Sequence, residues 1–542
     1  FAALLSLISC DRKRMMVTLR ILLLFKCITV GSTYKILVYS PKFGHSHSVF
    51  LGRIADVLVD AGHNVTMLMP IMNPAVGDGT AKVLHRIYVQ PDPVVQQTYE
   101  SHKEMNIIER NLFNPITPLF LGPLFASNIG RTCEKMLAEP GLMDRLREEK
   151  YDVYIAENFE VCGIGISAAI QPRAVIGAAS TCLYAFQFEE YGVPQALSYR
   201  PTLFYSALNV HSMLSRLINL IGELFIRTQF WFPRRACDRA LRTKFGPDYP
   251  SVAEQSSRVA YLFTNSEPLI ETAAPTLSKV IDISQIGASQ PKPLDQYWDG
   301  VLNRRPRAVL ISFGSMVKSY LFPAQTKLSL LRMMSRFPDV TFIWKYEHPE
   351  DEFSNKEAAA IDNLVLTKWM PQVDILNHPS MAAFVTHGGM GSAQEAAARG
   401  VPGLFVPIFG DQPRNAGMMA HNGLGLVYDK FALGDEENLT AAVKEVIENP
   451  KYRENARRVS RMLAAKPFKA EQLVAKYVEF AAEFGPSPAL RPQSHDMSFI
   501  AYHNLDVLLV FALFLTIFVC LFAKCAVWAF RCHFRIVKTK TE

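Results

Sequence analysis

The run Thr386-His387-Gly388-Gly389-Met390-Gly391-Ser392-Ala393-Gln394-Glu395 holds the densest set of residues able to do chemistry in this 542-residue chain. Ala382 to Thr386 reads as a buried strand, and Ser392 to Arg399 as a helix stopped by Gly400. A glycine-rich turn between them aims backbone N–H groups and the positive helix end at one point, where an anion binds. Gly388, Gly389 and Gly391 let a phosphate approach the backbone. His387 adds a side-chain donor, and Glu395, one turn in, can accept from ribose hydroxyls. Upstream, Trp369 offers a flat face for a base, with Gln372 just after it. Downstream, Asp411 and Gln412 close another strand region with two groups suited to a sugar. A glycine-rich turn alone is weak evidence; the assembly around it is not.

Two runs of alternating strands and helices must position these groups. In the first, Lys35 to Tyr39 is a strand, followed by a turn at Gly44-His45-Ser46-His47. Phe50, Ile54, Val57, Leu58 and Ala61 then recur at helical spacing, Gly62 stops the helix, and Asn64 to Leu68 is the next strand. That βαβ pattern implies a parallel sheet. Further strands are expected at Tyr151 to Ala156, Ala174 to Ala179 and Val259 to Thr264. The second run follows Pro291-Lys292-Pro293, with strands at Ala308 to Phe313, Val340 to Tyr346, Asn363 to Lys368, Ala382 to Thr386 and Gly403 to Val406. Two doubly wound halves imply a cleft, with ligands beyond the carboxyl ends of the strands. Asn106 to Phe125 and Pro201 to Phe232 are long, apolar and aromatic; core packing is their default reading, cleft wall or membrane contact the alternatives. Gly163-Ile164-Gly165-Ile166-Ser167-Ala168 fits a loose dinucleotide pattern but starts well past its strand, so close helix packing explains it better.

The 44 residues from Trp369 to Gln412 resemble the donor box of the UDP-glycosyltransferase family. The His-Gly-Gly core, the Glu eight residues after that His, Pro402, Pro407 and the closing Asp-Gln all match. So do Phe313-Gly314-Ser315, Asn265-Ser266-Glu267-Pro268 and Tyr502-His503-Asn504-Leu505-Asp506, and the resemblance covers nearly the whole chain, most like the membrane-anchored animal UDP-glucuronosyltransferases, nematode-like in detail. It implies an α/β GT-B fold: two Rossmann-like doubly wound domains facing a cleft, acceptor in the first and UDP-sugar in the second. The implied boundaries are 33–290 and 291–490. Ser315, His387, Gly389, Gly391 and Ser392 would hold the diphosphate, Trp369 would stack uracil, Gln372 and Glu395 would bind uridine and ribose, and Asp411 and Gln412 would grip the sugar. Gly391 stands where vertebrate members usually carry Asn, and Gly403 replaces a bulkier residue.

The resemblance also implies a catalytic pair. His47 precedes His63 by the family's sixteen residues and would take the proton from an acceptor hydroxyl. Taken alone, His47 reads as a solvated helix cap. Glu157, after Asp152-Val153-Tyr154-Ile155-Ala156, stands where vertebrate members have the Asp that orients the base. His45 is expected to point elsewhere. No Asp-x-Asp occurs, so no metal clamp and no cofactor are expected; helix end and His387 would stabilise the leaving UDP.

The ends suggest an address. A signal peptide is expected over 16–32, cleaved at Val30-Gly31-Ser32, with residues before Met15 or Met16 outside the translated product. Val507 to Ala523 is apolar and extends to Phe530 if Lys524 snorkels, giving a single-pass anchor over 507–530. Arg531, Arg535, Lys538 and Lys540 make 531–542 a cytosolic tail, with the body in the lumen. Lys538 and Lys540 resemble a dilysine signal for the endoplasmic reticulum. Asn64-Val65-Thr66 and Asn438-Leu439-Thr440 fit the glycosylation sequon. The nine cysteines carry no metal spacing; buried thiols are expected, with one disulfide that sequence cannot assign.

A net charge of +7 without a basic stripe argues against nucleic acid. Composition, 49% hydrophobic and 20% charged, suits a globular chain with one membrane segment. The expected activity is inverting transfer of a glycosyl group, glucuronic acid first, from a UDP-sugar to hydroxyls of small lipophilic acceptors. The alternatives are UDP-glucose as donor, or a non-catalytic lipophile-binding protein that keeps the fold. Homo-oligomerisation is left open.

Overall fold

The computed structural model describes residues 33–539 apart from 102–105, 113–116, 183–184, 204–208 and 288–290. The expected signal peptide and Lys540 of the dilysine pair lie outside the described residues.

Residues 33–487 form one compact unit built on two parallel sheets. The first contains β1 (Lys35–Tyr39), β2 (Asn64–Pro70), β3 (His85–Val89), β4 (Val153–Glu157), β5 (Ala174–Ala179), β6 (Tyr261–Thr264) and β7 (Val280–Asp282). Its order is β3-β2-β1-β4-β5-β6-β7. The second contains β8 (Arg307–Ser312), β9 (Val340–Lys345), β10 (Leu364–Thr367), β11 (Met381–Thr386), β12 (Gly403–Phe405) and β13 (Gly425–Val427), in the order β10-β9-β8-β11-β12-β13. The strand order reverses between β1 and β4 in one sheet and between β8 and β11 in the other. Those two switch points are where an open parallel sheet leaves a crevice. Strands β4, β9 and β11 are buried at every residue, which is why they are mainly apolar, with Glu157 and Lys345 only at the carboxyl ends of β4 and β9: helices cover both faces. The expected strands are all present. β3, β7 and β13 add to them at the sheet edges.

Helix α1 (His45–Asp60) follows β1 and ends where Gly62 takes φ +88°. Gly163 and Gly165 are packing glycines, as expected. A Cβ on Gly163 would stand 2.3 Å from the Tyr39 ring, and one on Gly165 2.5 Å from Leu241. Helices α2 (Thr117–Ala138) and α3 (Met213–Phe245) pack along each other. Of the two apolar segments noted in the sequence, Pro201 to Phe232 has a split fate within α3. Met213, Leu214, Leu217 and Leu224 are exposed, whereas Ile226 and Phe230 are buried. Cys133 and Cys162 are disulfide-bonded, and Cys182 and Cys237 are buried thiols.

The second half carries α4 (Met390–Arg399), α5 (Gln412–His421) and α6 (Ala470–Phe484). α4 starts two residues earlier than expected. Gly403 is glycine because the Phe405 ring occupies the space a Cβ would need, 2.4 Å away. α6 returns to the first half, where Tyr477 meets Tyr261 edge-on and Glu479 lies 3.7 Å from His63 Nε2. Residues 488–539 form a separate unit dominated by α7 (Leu505–Thr539). Its 29-residue apolar stretch Leu505–His533 is long enough to cross a membrane. The helix continues through the first residues of the expected tail.

Candidate functional site

β1 ends at Tyr39, and the chain turns through Gly44 into the first turn of α1, which carries His47. β4 ends on Glu157, fully buried, and β5 is followed at once by Ser180. Three adjacent strands therefore deliver three polar groups to one switch point. Nδ1 of His47 lies 3.3 Å from Glu157 Oε2 and 2.5 Å from Ser180 Oγ. Ser180 Oγ is itself 3.3 Å from Glu157 Oε1, which also accepts from the Phe159 N–H at 3.2 Å. Nε2 of His47 makes no hydrogen bond among the described residues, so it is the nitrogen left for chemistry. His45 is exposed on the same turn.

Ser180 escaped the sequence reading. The usable signal was positional: it is the first polar residue past a strand beside the switch point. Aromatic rings also line this end. Phe43 and Phe159 lie 4.4 and 5.2 Å from the His47 ring. Phe159 continues onto Phe125 of α2 and Phe230 of α3 at 5.5 and 5.3 Å. The long apolar helices thus wall the space beside His47 with rings, which suits a lipophilic guest.

The second sheet presents the donor-box residues at its own switch point. β8 leads to Gly314 (φ +81°) and the exposed Ser315, and β11 leads to His387 and Gly388 (φ +76°). Both turns must be glycine: a Cβ on Gly314 or on Gly389 would stand 2.7 or 2.6 Å from the His387 imidazole. The N–H groups of α4 open immediately beyond. Nothing stands within 4 Å of a Cβ on Gly391. Burial first, then the nearby Lys345 cation, push His387 down to about 4. It is therefore neutral near pH 7 and donates through a single N–H. Lys345, which the sequence reading passed over, is buried and donates to Gly314 O at 3.0 Å and Glu347 Oε1 at 2.8 Å.

Trp369 leaves β10 with 69% of its surface exposed, a free stacking face. Gln372 Nε2 donates to Glu395 Oε2 at 2.7 Å and lies 3.4 Å from Ser392 Oγ. Burial raises the Glu395 carboxyl, while Gln372 and Arg53, the latter from α1 in the opposite half, pull it back. Asp411 precedes α5 and accepts from Asn415 Nδ2 at 2.8 Å. Burial raises its carboxyl, and His47 and Arg414 are close enough to oppose that rise. Gln412 Oε1 accepts from the Ile408 and Phe409 N–H groups at 2.8 and 3.0 Å, so its carbonyl fixes the loop and its NH₂ remains for a ligand. The ten donor-binding residues expected from sequence thus lie beyond the carboxyl ends of the strands of one sheet, Ser315 after β8 and the other nine between Trp369 and Gln412.

The model of the family described as UDP-glucoronosyl and UDP-glucosyl transferase matches residues 34–540. Among curated proteins, Caenorhabditis elegans ugt-47, provisionally named a UDP-glucuronosyltransferase, is 28% identical, covering 88% of this chain and 90% of its own. UDP-glucuronosyltransferase 1A7 of Rattus norvegicus is 26% identical, covering 93% of both chains. Among solved structures, a UDP-glucosyltransferase from Polygonum tinctorium described as capable of glucosylating indoxyl superposes with a TM-score of 0.58. It is 13% identical and covers 84% of this chain and 100% of that one. The glycotransferase of kitacinnamycin gives 0.56 at 16% identity, with 84% and 100% covered. At such identity these two speak for the shared GT-B fold alone.

Proposed function

The chain belongs to the UDP-glucoronosyl and UDP-glucosyl transferase family, and on that premise we propose that it moves glucuronic acid from UDP-glucuronate to hydroxyls of small lipophilic molecules, with inversion. It is a glycosyltransferase of the GT-B fold that transfers the sugar of a UDP-sugar to an acceptor. The observation that carries the finer reading is His47 held through Nδ1 by Glu157 and Ser180 beside an aromatic wall, with no hydrogen bond to its Nε2 among the described residues.

In this reading Nε2 of His47 takes the acceptor's hydroxyl proton as its oxygen attacks the anomeric carbon. The bond from that carbon to the β-phosphate oxygen breaks, UDP leaves with the electron pair, and an α-linked sugar becomes a β-glycoside. Glu157 stabilises the imidazolium that forms. Ser315, Ser392, His387 and the N–H groups around Gly389 and Gly391 meet the charge growing on the diphosphate, and so would need no metal. Trp369 stacks the uracil, Gln372 and Glu395 bind uridine and ribose, and Asp411 and Gln412 hold the sugar. The rings of Phe43, Phe159, Phe125 and Phe230 favour lipophilic acceptors, a substrate class that fits detoxification.

The apolar helix α7 is consistent with a membrane anchor. A lumenal body in the endoplasmic reticulum is the proposed address, and the Cys133–Cys162 disulfide suits that oxidising side.

The test is a product screen by mass spectrometry. Full-length protein in detergent, with EDTA present, receives a panel of phenols and alcohols with either UDP-glucuronate or UDP-glucose. A β-glucuronide is expected. His47→Ala should lower turnover by about two to four orders of magnitude, the usual share of a general base, with UDP affinity nearly unchanged. Glucosides alone would replace the donor assignment; no product with either donor would overturn the finer reading.

A further inference from the structure

We propose that Ser180 is a positioning residue for the base, and that Asn265 and Gln394 tie it to the donor-binding helix. The inference rests on His47 acting as the base in the function proposed above.

Nδ1 of a neutral imidazole carries at most one proton, and two acceptors stand near it. Ser180 Oγ, at 2.5 Å, is much nearer than Glu157 Oε2 at 3.3 Å. A hydroxyl has one donor and two acceptor sites. Ser180 can therefore accept the Nδ1 proton and donate its own to Glu157 Oε1, 3.3 Å away. With Nδ1 protonated, Nε2 carries the bare lone pair that catalysis needs. The hydroxyl thus fixes both the tautomer and the ring angle, and passes the carboxylate's charge toward the ring. Ser180 is 5% exposed, so water does not readily replace it.

The backbone of Ser180 is held in turn. Its carbonyl accepts from Asn265 Nδ2 at 2.9 Å, and the Asn265 N–H donates to Ala179 O at 3.0 Å. Asn265 directly follows β6, in the acceptor half. Gln394, on α4 in the donor half, donates through Nε2 to Asn265 O at 2.8 Å and to Asn265 Oδ1 at 3.2 Å. Its own Oε1 accepts from the Gln285 N–H at 3.1 Å. Gln394 is buried and adjoins Glu395, the proposed ribose ligand. Separating the pair would strand buried amide groups, each costing about 1–3 kcal/mol. Helix α4 and Ser180 therefore move together, and the helix that takes the diphosphate also holds the base in register.

Two measurements on the full-length protein in detergent test this. The first is steady-state transfer from UDP-glucuronate, or from UDP-glucose if that is the donor used, to a fluorescent phenol. Ser180→Ala should lower kcat about tenfold, the loss of one net hydrogen bond near 1.4 kcal/mol, with donor KM within about twofold. Gln394→Leu should lower kcat about three- to tenfold. The double variant should be no slower than Ser180→Ala, because both changes act through one hydroxyl. The second is imidazole ¹⁵N NMR with UDP bound: His47 should be the Nδ1–H tautomer in the native protein and a mixture in Ser180→Ala. Calorimetric UDP binding checks folding, and if Ser180→Ala loses it, Ser180→Cys keeps the size with a weak acceptor and serves instead. Native kcat and an unchanged tautomer in the Ser180 variant would overturn the positioning role. Losses that multiply in the double variant would overturn the tie through Gln394. Absence of any transfer by the native protein would refute the functional reading instead, and the NMR result would still decide this one.

Discussion

Replacing Glu157 by Gln would keep its size and remove the charge behind the base. The imidazolium formed at His47 would then face a neutral amide 3.3 Å from Nδ1, in a buried place where charge is poorly screened. Glu157→Gln should lower kcat about ten- to a hundredfold, whereas Glu157→Asp should stay within about fivefold. Rates for Gln equal to the native protein would remove Glu157 from the mechanism. A second buried acid, Glu160, behaves differently. Burial pushes its carboxyl up to about 7, against the Tyr39 hydroxyl and the Gly163 and Cys162 N–H groups. The folded chain then holds a proton that the unfolded chain, at 4.5, releases earlier. Its contribution to stability is complete below about pH 4.5 and is lost as pH rises through 7. Between pH 5.5 and 8 the Tm of the native protein should fall relative to that of Glu160→Gln. Parallel Tm curves for the two would show that Glu160 is ionised throughout.

Strands and turns explain how far the fold could be read in advance. β1, β4, β8, β9 and β11 are central, covered on both faces, and therefore written as apolar runs that stand out in any window. β3 is an edge strand whose His85-Arg86-Ile87-Tyr88 is only partly buried, so its pattern matches a loop as well as a strand. β7 and β13, three residues each, are shorter than any usable period. The donor box was legible because its residues lie within one stretch of chain. Ser180 was not, because 133 residues separate it from His47 and only the order of β1, β4 and β5 brings them together. Glycines sort in the same way, by what surrounds the element. Gly163→Ala would drive a methyl into the fully buried Tyr39 ring and should cost about 1–3 kcal/mol. Gly391→Asn enters open space in the first turn of α4 and should leave Tm unchanged while tightening UDP binding about twofold or more through one added donor. Thermal melts and calorimetry on the two variants check the contrast; equal destabilisation would show that Gly391 is a packing glycine as well.

For the molecule as a whole, two independent features favour the proposed lumenal address. Leu505–His533, at 29 residues, gives about 43 Å of helix at about 1.5 Å per residue, against a hydrocarbon core of about 30 Å. The stretch is long enough to cross even if tilted, and Lys524 within it can reach toward the headgroups. Arg531, Arg535 and Lys538 follow on the same helix, and basic residues beside a span stay in the cytosol. In the proposed orientation the body, residues 33–487, is lumenal. Separately, Cys133 and Cys162 are joined, and such bonds persist where the surroundings oxidise. Charge at one end and cysteine chemistry in the body thus agree without sharing any residue. In sealed microsomes, added protease should remove a C-terminal tag and spare the body; detergent should then expose the body to digestion. Loss of the body in sealed vesicles would reverse the orientation. Replacing Lys538 and Lys540 by Ser should let part of the protein reach later compartments, read as glycans that resist endoglycosidase H if either sequon is used, and otherwise by microscopy. Full retention of that variant would leave the span and its direction standing and shift the address to the helix itself, whose length can sort a protein among membranes of different thickness.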